Sequence, residues 1–282
     1  MRLLIVFVAT AVALAQIASP ATAGDPSRDL ISHCTGCDLS GMNLRGRDLH
    51  GMEFVGADLA GTDFTGADLR SSRFVGADLR RTKFDRSNLS DAQFTGVDFD
   101  ATSFAGARMD GVKFVGVKLD QATADALRAA GGLRSCTGCD LRSLSFRSSD
   151  LSGVKFVGAD LVSADLARAR LVGATLVGAD MRHASAAAAD FSDARLVGAD
   201  LRDADLAAAS LRNAVVCSRN RGSGDFAGGR DRENCIDLRG ATLRDADLRG
   251  ARFCGNDDSD CRAVTASELR EIAHADLNTA RL

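Results

Sequence analysis

Bulky apolar residues recur every five positions along this chain, from Leu39 and Leu44 through Phe54 and Phe64 to Leu119, without a slip. A helix repeats its buried face every 3.6 residues and a strand every 2, so neither accounts for a strict five. Each unit runs small, polar, bulky and two further residues, as in Ala57-Asp58-Leu59-Ala60-Gly61. The bulky centres form blocks: seventeen over 39–119, sixteen over 141–216 and four over 238–253, with Leu277 and Leu282 as a two-unit remnant.

The five-residue order stays in phase over about three quarters of the mature chain, and it resembles the pentapeptide-repeat family. The resemblance implies an all-β fold, a right-handed quadrilateral β-helix with four pentapeptides per coil and short capping helices. Residues twenty apart then stack in columns. Phe54, Phe74, Phe94 and Phe114 make one interior column, opposite Leu44, Phe64, Phe84 and Phe104. The other two are Leu39, Leu59, Leu79, Phe99 and Leu119, and Leu49, Leu69, Leu89 and Met109. Twelve of the fourteen Phe occupy centres, which assigns them to the core rather than to a ligand-binding stripe. Burying each contributes about 1.5–3 kcal/mol, provided a neighbouring coil covers it. The position two before each centre is small, with alanine from Ala159 to Ala214; Met42, Arg47 and Met52 depart from this. Ala186 occupies a bulky centre and predicts a thin spot in the core.

The long blocks are related by duplication. Cys34-Thr35-Gly36-Cys37-Asp38-Leu39 recurs as Cys136-Thr137-Gly138-Cys139-Asp140-Leu141. Read along the chain, 1–23 is a signal peptide, 24–36 a lead-in, 37–121 the first block and 122–136 a short helix and linker. A second block follows at 137–218, an excursion loop at 219–235, a third block at 236–255, and a helix with terminal repeats at 256–282. Thr123 and Gly131 have the positions of a helix cap and stop, and Thr265 with Glu268 has capping-box spacing for a helix to His274. Either helix would cover an open solenoid end, which otherwise invites strand pairing. The spacing fits a nearly continuous rod of nine to ten coils, about 45 Å long, or two short rods joined at 120–138.

A positive start at Met1-Arg2, an apolar stretch over 3–17 and Ala21-Thr22-Ala23 make a secretory leader with cleavage after Ala23. The expected location is therefore the periplasm or the medium, with no membrane span once the leader is removed. Without Arg2 the mature chain has 34 basic and 38 acidic residues, a net of −4. That balance, with Arg interspersed among Asp, gives no large single-sign field and no reason to expect nucleic acid. Two Pro and no Trp or Tyr suit a regular solenoid better than an enzyme with elaborated loops. No phosphate loop, Ser-His-Asp grouping or cofactor motif stands out, and His33, His50, His183 and His274 share no ligand spacing; no enzyme activity and no cofactor are expected.

Eight cysteines in an exported chain point to disulfides. The local pairing is Cys34–Cys37, Cys136–Cys139, Cys217–Cys235 and Cys254–Cys261. A four-thiolate zinc site from the two CxxC pairs is the alternative, but 102 residues, about five coils, would hold them roughly 24 Å apart, against ~2.3 Å from each sulfur to zinc. Asp38, Asp58, Asp78 and Asp98 stack on one outer face, as do Asp140, Asp160, Asp180 and Asp200. Such columns read either as carboxylates accepting backbone bonds at turns, with Arg70, Arg80 and Arg202 nearby, or as a Ca²⁺ ladder.

Two rows before the bulky centres differ from coil to coil: Glu53, Arg73, Gln93 and Lys113, then Lys155, Thr175 and Arg195. Arg73, Lys113, Lys155 and Arg195 are the candidate interaction strip for a protein partner. The chain is thus expected to be an exported, non-enzymatic scaffold, with a toxin-associated or adhesive role sharing the same physics. Through its family, a DNA-mimicking gyrase binder is the alternative if the leader stays on, as is a cation-binding structural rod. The C-terminal helix would provide homodimerisation.

Overall fold

The computed structural model describes residues 33–219, 233–254 and 261–263, with Thr265, Ser267, Ala280 and Arg281. The leader with Ala23, most of the excursion loop and nearly all of the C-terminal helix expectation lie outside the described residues. The chain divides into two compact units, one ending at Ser135 and the other starting at Cys136.

The first unit is a quadrilateral solenoid with coils of twenty residues. Strands β1 (His33–Thr35), β2 (Glu53–Val55), β3 (Arg73–Val75), β4 (Gln93–Thr95) and β5 (Lys113–Val115) pair in parallel. In register, Cys34 stands over Phe54, Phe54 over Phe74 and Phe94 over Phe114. Single bridges twenty residues apart join the other faces, such as Asp38 with Asp58, Asn43 with Asp63 and Asp48 with Asp68. Every coil bonds to the next in both directions: Leu39 N–H donates to the Asp58 carbonyl at 2.8 Å, and Asp58 N–H donates back to Cys37 at 2.9 Å.

The corners explain why five residues make one face. After Leu59, the Thr62 N–H donates to the Leu59 carbonyl at 2.9 Å, and Gly61 between them has φ +69°. This is the hydrogen bonding and left-handed third residue of a type II turn. On the face carrying β2 to β5, no such turn bond follows Phe54, Phe74 or Phe94 among the described residues, and that face is extended instead.

Both phenylalanine columns are fully buried and interlock across the interior. Phe54, Phe74 and Phe94 stack at centroid separations of 4.9 and 4.8 Å, while Phe74 meets Phe84 of the opposite column edge-on at 5.6 Å. The small slot beside the second column is Thr62, Thr82 and Thr102, whose hydroxyls donate to the Leu39, Leu59 and Leu79 carbonyls at 2.7–2.8 Å. A buried hydroxyl is acceptable there because it is bonded.

Helix α1 (Gln121–Ala129) covers the last coil with Ala124 and Leu127 fully buried. Its N-cap is Asp120, not Thr123: the Asp120 carboxylate accepts the Thr123 N–H at 2.7 Å. Thr123 lies buried in the first turn, its hydroxyl 3.5 Å from the Phe99 carbonyl. The predicted stop is present. Gly131 (φ +72°) donates to Arg128 and Gly132 to Leu127, a Schellman closure.

The second unit opens with the two-residue strand β6 (Cys136–Thr137) and coils with the same twenty-residue pairing, Asp140 over Asp160 and Thr175 over Arg195. Its interior is mainly aliphatic, with Phe146, Phe156 and Phe191 among the buried centres, and the small slots from Ala159 to Ala214 are buried alanines. Ala186 is fully buried, and the next centre in the same coil is the larger Phe191, also fully buried. After Val216 the bridge spacing changes: Asp200 pairs with Asp237 and Ser210 with Asp247, thirty-seven residues on rather than twenty. The spacing is thus seventeen residues longer than in the other coils, and the Ile236 N–H donates to the Val216 carbonyl at 2.8 Å. Four strands close this region, β7 (Val215–Arg219), β8 (Glu233–Cys235), β9 (Arg252–Cys254) and β10 (Cys261–Ala263), in the order β10-β9-β7-β8.

Candidate interaction surface

The aspartate columns are built from a local motif. Each Asp stands one position before a bulky centre, and its Oδ1 accepts the N–H two residues on: Ser40 to Asp38, Ala60 to Asp58 and Arg80 to Asp78 at 3.0 Å, Asp100 to Asp98 at 3.1 Å. These Asx-type turns give each of these carboxylates a backbone donor. Where the residue two on is Arg, its guanidinium folds back onto the same carboxylate. Arg182 reaches Asp180 through Nε at 2.8 Å and Nη2 at 2.6 Å, and Arg142 does the same to Asp140 at 2.9 and 2.6 Å.

In the second unit these clamps link coils. Arg142 Nε lies 3.4 Å from Asp160, Arg182 Nε 3.8 Å from Asp200, and Arg202 Nε 3.8 Å from Asp237. Opposite charges thus alternate along the column, removing the like-charge repulsion of a bare Asp ladder. The Arg182, Arg202 and Arg239 bonds hold Asp180, Asp200 and Asp237 below the ordinary carboxylate range despite partial desolvation. Arg249 likewise holds Asp247 down at about 2. The first unit has fewer clamps: on its corresponding column only Asp78 has one, from Arg80. Among the described residues no group of three or more His, Cys, Asp or Glu is placed to hold a metal ion.

The strip residues sit where the repeat phase puts them, but they are not equivalent. Arg73 donates to Glu53 one coil back at 2.8 Å, and His33 lies 3.4 Å from that carboxylate's other oxygen. Lys113 at the start of β5 is exposed. In the second unit, Lys155 is exposed and bridges to Thr175, which bridges to the half-buried Arg195. Beside this row runs a feature the sequence reading missed: half-buried Val55, Val75 and Val115 in the first unit, and Val157 and Val177 in the second, with Val177 packed on Val197. Its signal was present as the Val-Gly that recurs after most centres of that face, with Thr95-Gly96 after Phe94.

Cys34 and Cys37 have Cα atoms 5.6 Å apart, as do Cys136 and Cys139, each pair spanning one corner. His183 lies 4.0 Å from Asp203, and His274 is outside the described residues. A shallow recess between the coil at Ser103 to Ala107 and helix α1 is lined by alanines, Phe104 and Ser103; it holds no group for acid–base chemistry. Among the described residues no helix is long and apolar enough to cross a membrane.

Comparison with known proteins agrees with this geometry. A profile of the pentapeptide repeat region matches residues 47–123, and one of pentapeptide repeats matches 135–166, 164–203, 187–216 and 234–257. No curated protein matches the chain. Among solved structures it is similar to HetL, a pentapeptide repeat protein involved in heterocyst differentiation regulation from the cyanobacterium Nostoc sp. strain PCC 7120. That match has 24% identity and a TM-score of 0.34, covering 77% of this chain and 86% of HetL. It is also similar to QnrB1, a plasmid-mediated fluoroquinolone resistance protein, at 21% identity and TM-score 0.31, covering 75% and 91%. A pentapeptide repeat protein from the Arabidopsis thaliana thylakoid lumen is 29% identical over 38% of this chain and 84% of its own, with a TM-score of 0.24. The fold assignment rests on the coils themselves rather than on these superpositions. With the repeat profiles covering most of both solenoid units, the chain belongs to the pentapeptide-repeat family.

Proposed function

We propose that this chain is an exported, non-enzymatic scaffold whose solenoid faces bind a protein partner outside the cytoplasm. The observation that carries the reading is the division of labour inside each pentapeptide. Two positions are buried and nearly invariant in character, and the Asp columns are consumed by their own turns and arginines. The row before the centres of the β2–β5 face is left to vary: Glu53, Arg73, Gln93 and Lys113, and in the second unit Lys155, Thr175 and Arg195. Side chains on such a row change without disturbing the core. Export is supported by the leader pattern ending at Ala23. A DNA mimic asks for an uncompensated acidic surface, and the arginine-clamped columns favour the scaffold instead.

The test is capture by cross-linking from the host's own extracytoplasmic fraction, comparing the parent with a variant carrying Arg73→Glu, Lys113→Glu, Lys155→Glu and Arg195→Glu. Partner capture should be lost while melting barely moves, since exposed ion pairs contribute only about 0–1 kcal/mol. Undiminished capture would exclude the strip. Intact mass of the protein from that fraction should correspond to a chain beginning at Gly24.

A further inference from the structure

We propose that the β2–β5 face of the first unit binds a second copy of this chain with the coil order inverted, so that Glu53 of each copy meets Lys113 of the other. The inference rests on the strip reading above and names the occupant of the strip's first-unit half. Two rows cross this face. Glu53, Arg73, Gln93 and Lys113 stand before the buried centres, and Val55, Val75, Thr95 and Val115 stand after them. The second row is half-buried throughout. In parallel register each residue lies over its counterpart one coil on. The face is therefore an extended sheet with one charged row and one mainly apolar row.

Two copies in a closed symmetric pair present the same patch to each other. The two-fold axis can lie in the contact along the solenoid or along the strands. Along the solenoid, it lays the charged row of each copy on the valine row of the other, where a charge loses water and gains no partner. Along the strands, it lays each row on itself with the coils reversed. With that axis between Arg73 and Gln93, Glu53 faces Lys113 at both ends and Arg73 faces Gln93 twice in the middle. Val55 then meets Val115, and Val75 meets Thr95. An axis level with Arg73 sets that residue on itself, and one level with Gln93 sets Arg73 on Lys113; like charges so placed repel. An axis between Glu53 and Arg73 drops Lys113 from the contact.

The two charges that meet are in a state to do so. Lys113 is exposed and has no ion pair among the described residues. Glu53 holds Arg73 at 2.8 Å on one oxygen and has His33 3.4 Å from the other, yet its side chain is still 29% exposed. A carboxylate has about four acceptor sites, so Glu53 has room for a further ammonium. The second unit supplies the contrast. Its corresponding row is Lys155, Thr175 and Arg195, with no acid, and inverting that row on itself sets Lys155 on Arg195. Self-pairing therefore belongs to the first unit. Four strands about 4.8 Å apart and three residues long make a patch of roughly 19 by 10 Å. That is well below the ~800 Å² per partner of a stable interface, so the association is weak and concentration-dependent.

Sedimentation of the purified mature protein alone, from micromolar to millimolar concentration at low salt, is the test. The parent should show a monomer–dimer equilibrium that added salt weakens. Glu53→Lys and Lys113→Glu should each weaken it about tenfold, because each change turns two attractive contacts repulsive. The double variant should recover it, since the same contacts are then only turned round. Thermal melts of all four proteins show that each is folded. Monomer at every concentration overturns the inference, as does a dimer of equal strength in all four proteins, which places the contact elsewhere, or a loss that the double variant does not restore. Monomer throughout, together with host capture that the fourfold charge reversal abolishes, removes the second copy and leaves the strip reading standing. A dimer that follows these charges while host capture is undiminished keeps the second copy as occupant and removes the foreign partner.

Discussion

The two units close the same coil with different materials. The first has aromatic columns, hydroxyls bonded inside the core and mostly glycine at its left-handed corners, from Gly36 to Gly66 without exception. The second has leucine and alanine inside, places Ser143, His183, Ala188, Ala208 and others in the left-handed corner position, and ties its Asp column with arginines. A side chain at positive φ costs roughly 1–2 kcal/mol relative to glycine. Two routes therefore satisfy one geometry: voluminous packing over relaxed corners, or thin, uniform packing over strained corners with surface charge pairing.

Packing substitutions should separate the units most. Phe74 touches four other rings, those of Phe54, Phe64, Phe84 and Phe94. Phe74→Ala should cost about 3–5 kcal/mol in denaturant melts. In the second unit the telling change is an addition. Ala186 beside Phe191 reads as an exchange of volume within one coil, so Ala186→Leu should destabilise by about 1–3 kcal/mol through overpacking. A stabilised Ala186→Leu would restore the thin spot and break the contrast.

Corner strain is the next largest difference, and it has opposite signs in the two units. Ala208 has φ +57°, so Ala208→Gly should raise stability by about 1 kcal/mol. Gly61→Ala should lose a similar amount, because an added Cβ meets nothing nearer than 4.0 Å and only the backbone conformation resists it. If both changes leave the melting point unmoved, the corners are not where the units differ.

Much of this was legible because the period of five leaves one arrangement for the bulky centres once coils stack. Column membership and the place of the Asp row follow from phase, and the Gly131 stop follows from a glycine just past a helical stretch. The N-cap of α1 did not, because Asp120 directly follows the last centre Leu119 and reads as one more outward residue. Both Asp120 and Thr123 can cap, and the bond from the Thr123 N–H to the Asp120 carboxylate, with Thr123 itself buried, decides between them. The valine row was in the sequence but disguised, since an apolar residue after a centre looks incidental until coils align it.

The smallest expected effect concerns the charge ladder, where the sign matters more than the size. Arg202 donates to Asp200 through Nε at 2.8 Å and lies 3.8 Å from Asp237, so it serves two coils. At neutral pH, Arg202→Gln should cost no more than about 1 kcal/mol, as both partners face solvent. A carboxylate whose folded pKa is depressed stabilises the fold above its unfolded value near 4 and loses that contribution as the pH falls through its folded value. Asp200 and Asp237 are depressed in this way, and Asp247, held at about 2, marks how far the window extends. The parent protein should therefore lose stability as the pH drops from about 4 toward 2, and Arg202→Gln should lose less, because Asp200 gives up the largest cause of its depression, the Arg202 side-chain bond, and keeps only the backbone one. Thermal melts of both proteins across that range provide the check. Parallel curves would mean that the Asx-turn bonds alone hold the column, and that the arginines distinguish the second unit only in composition.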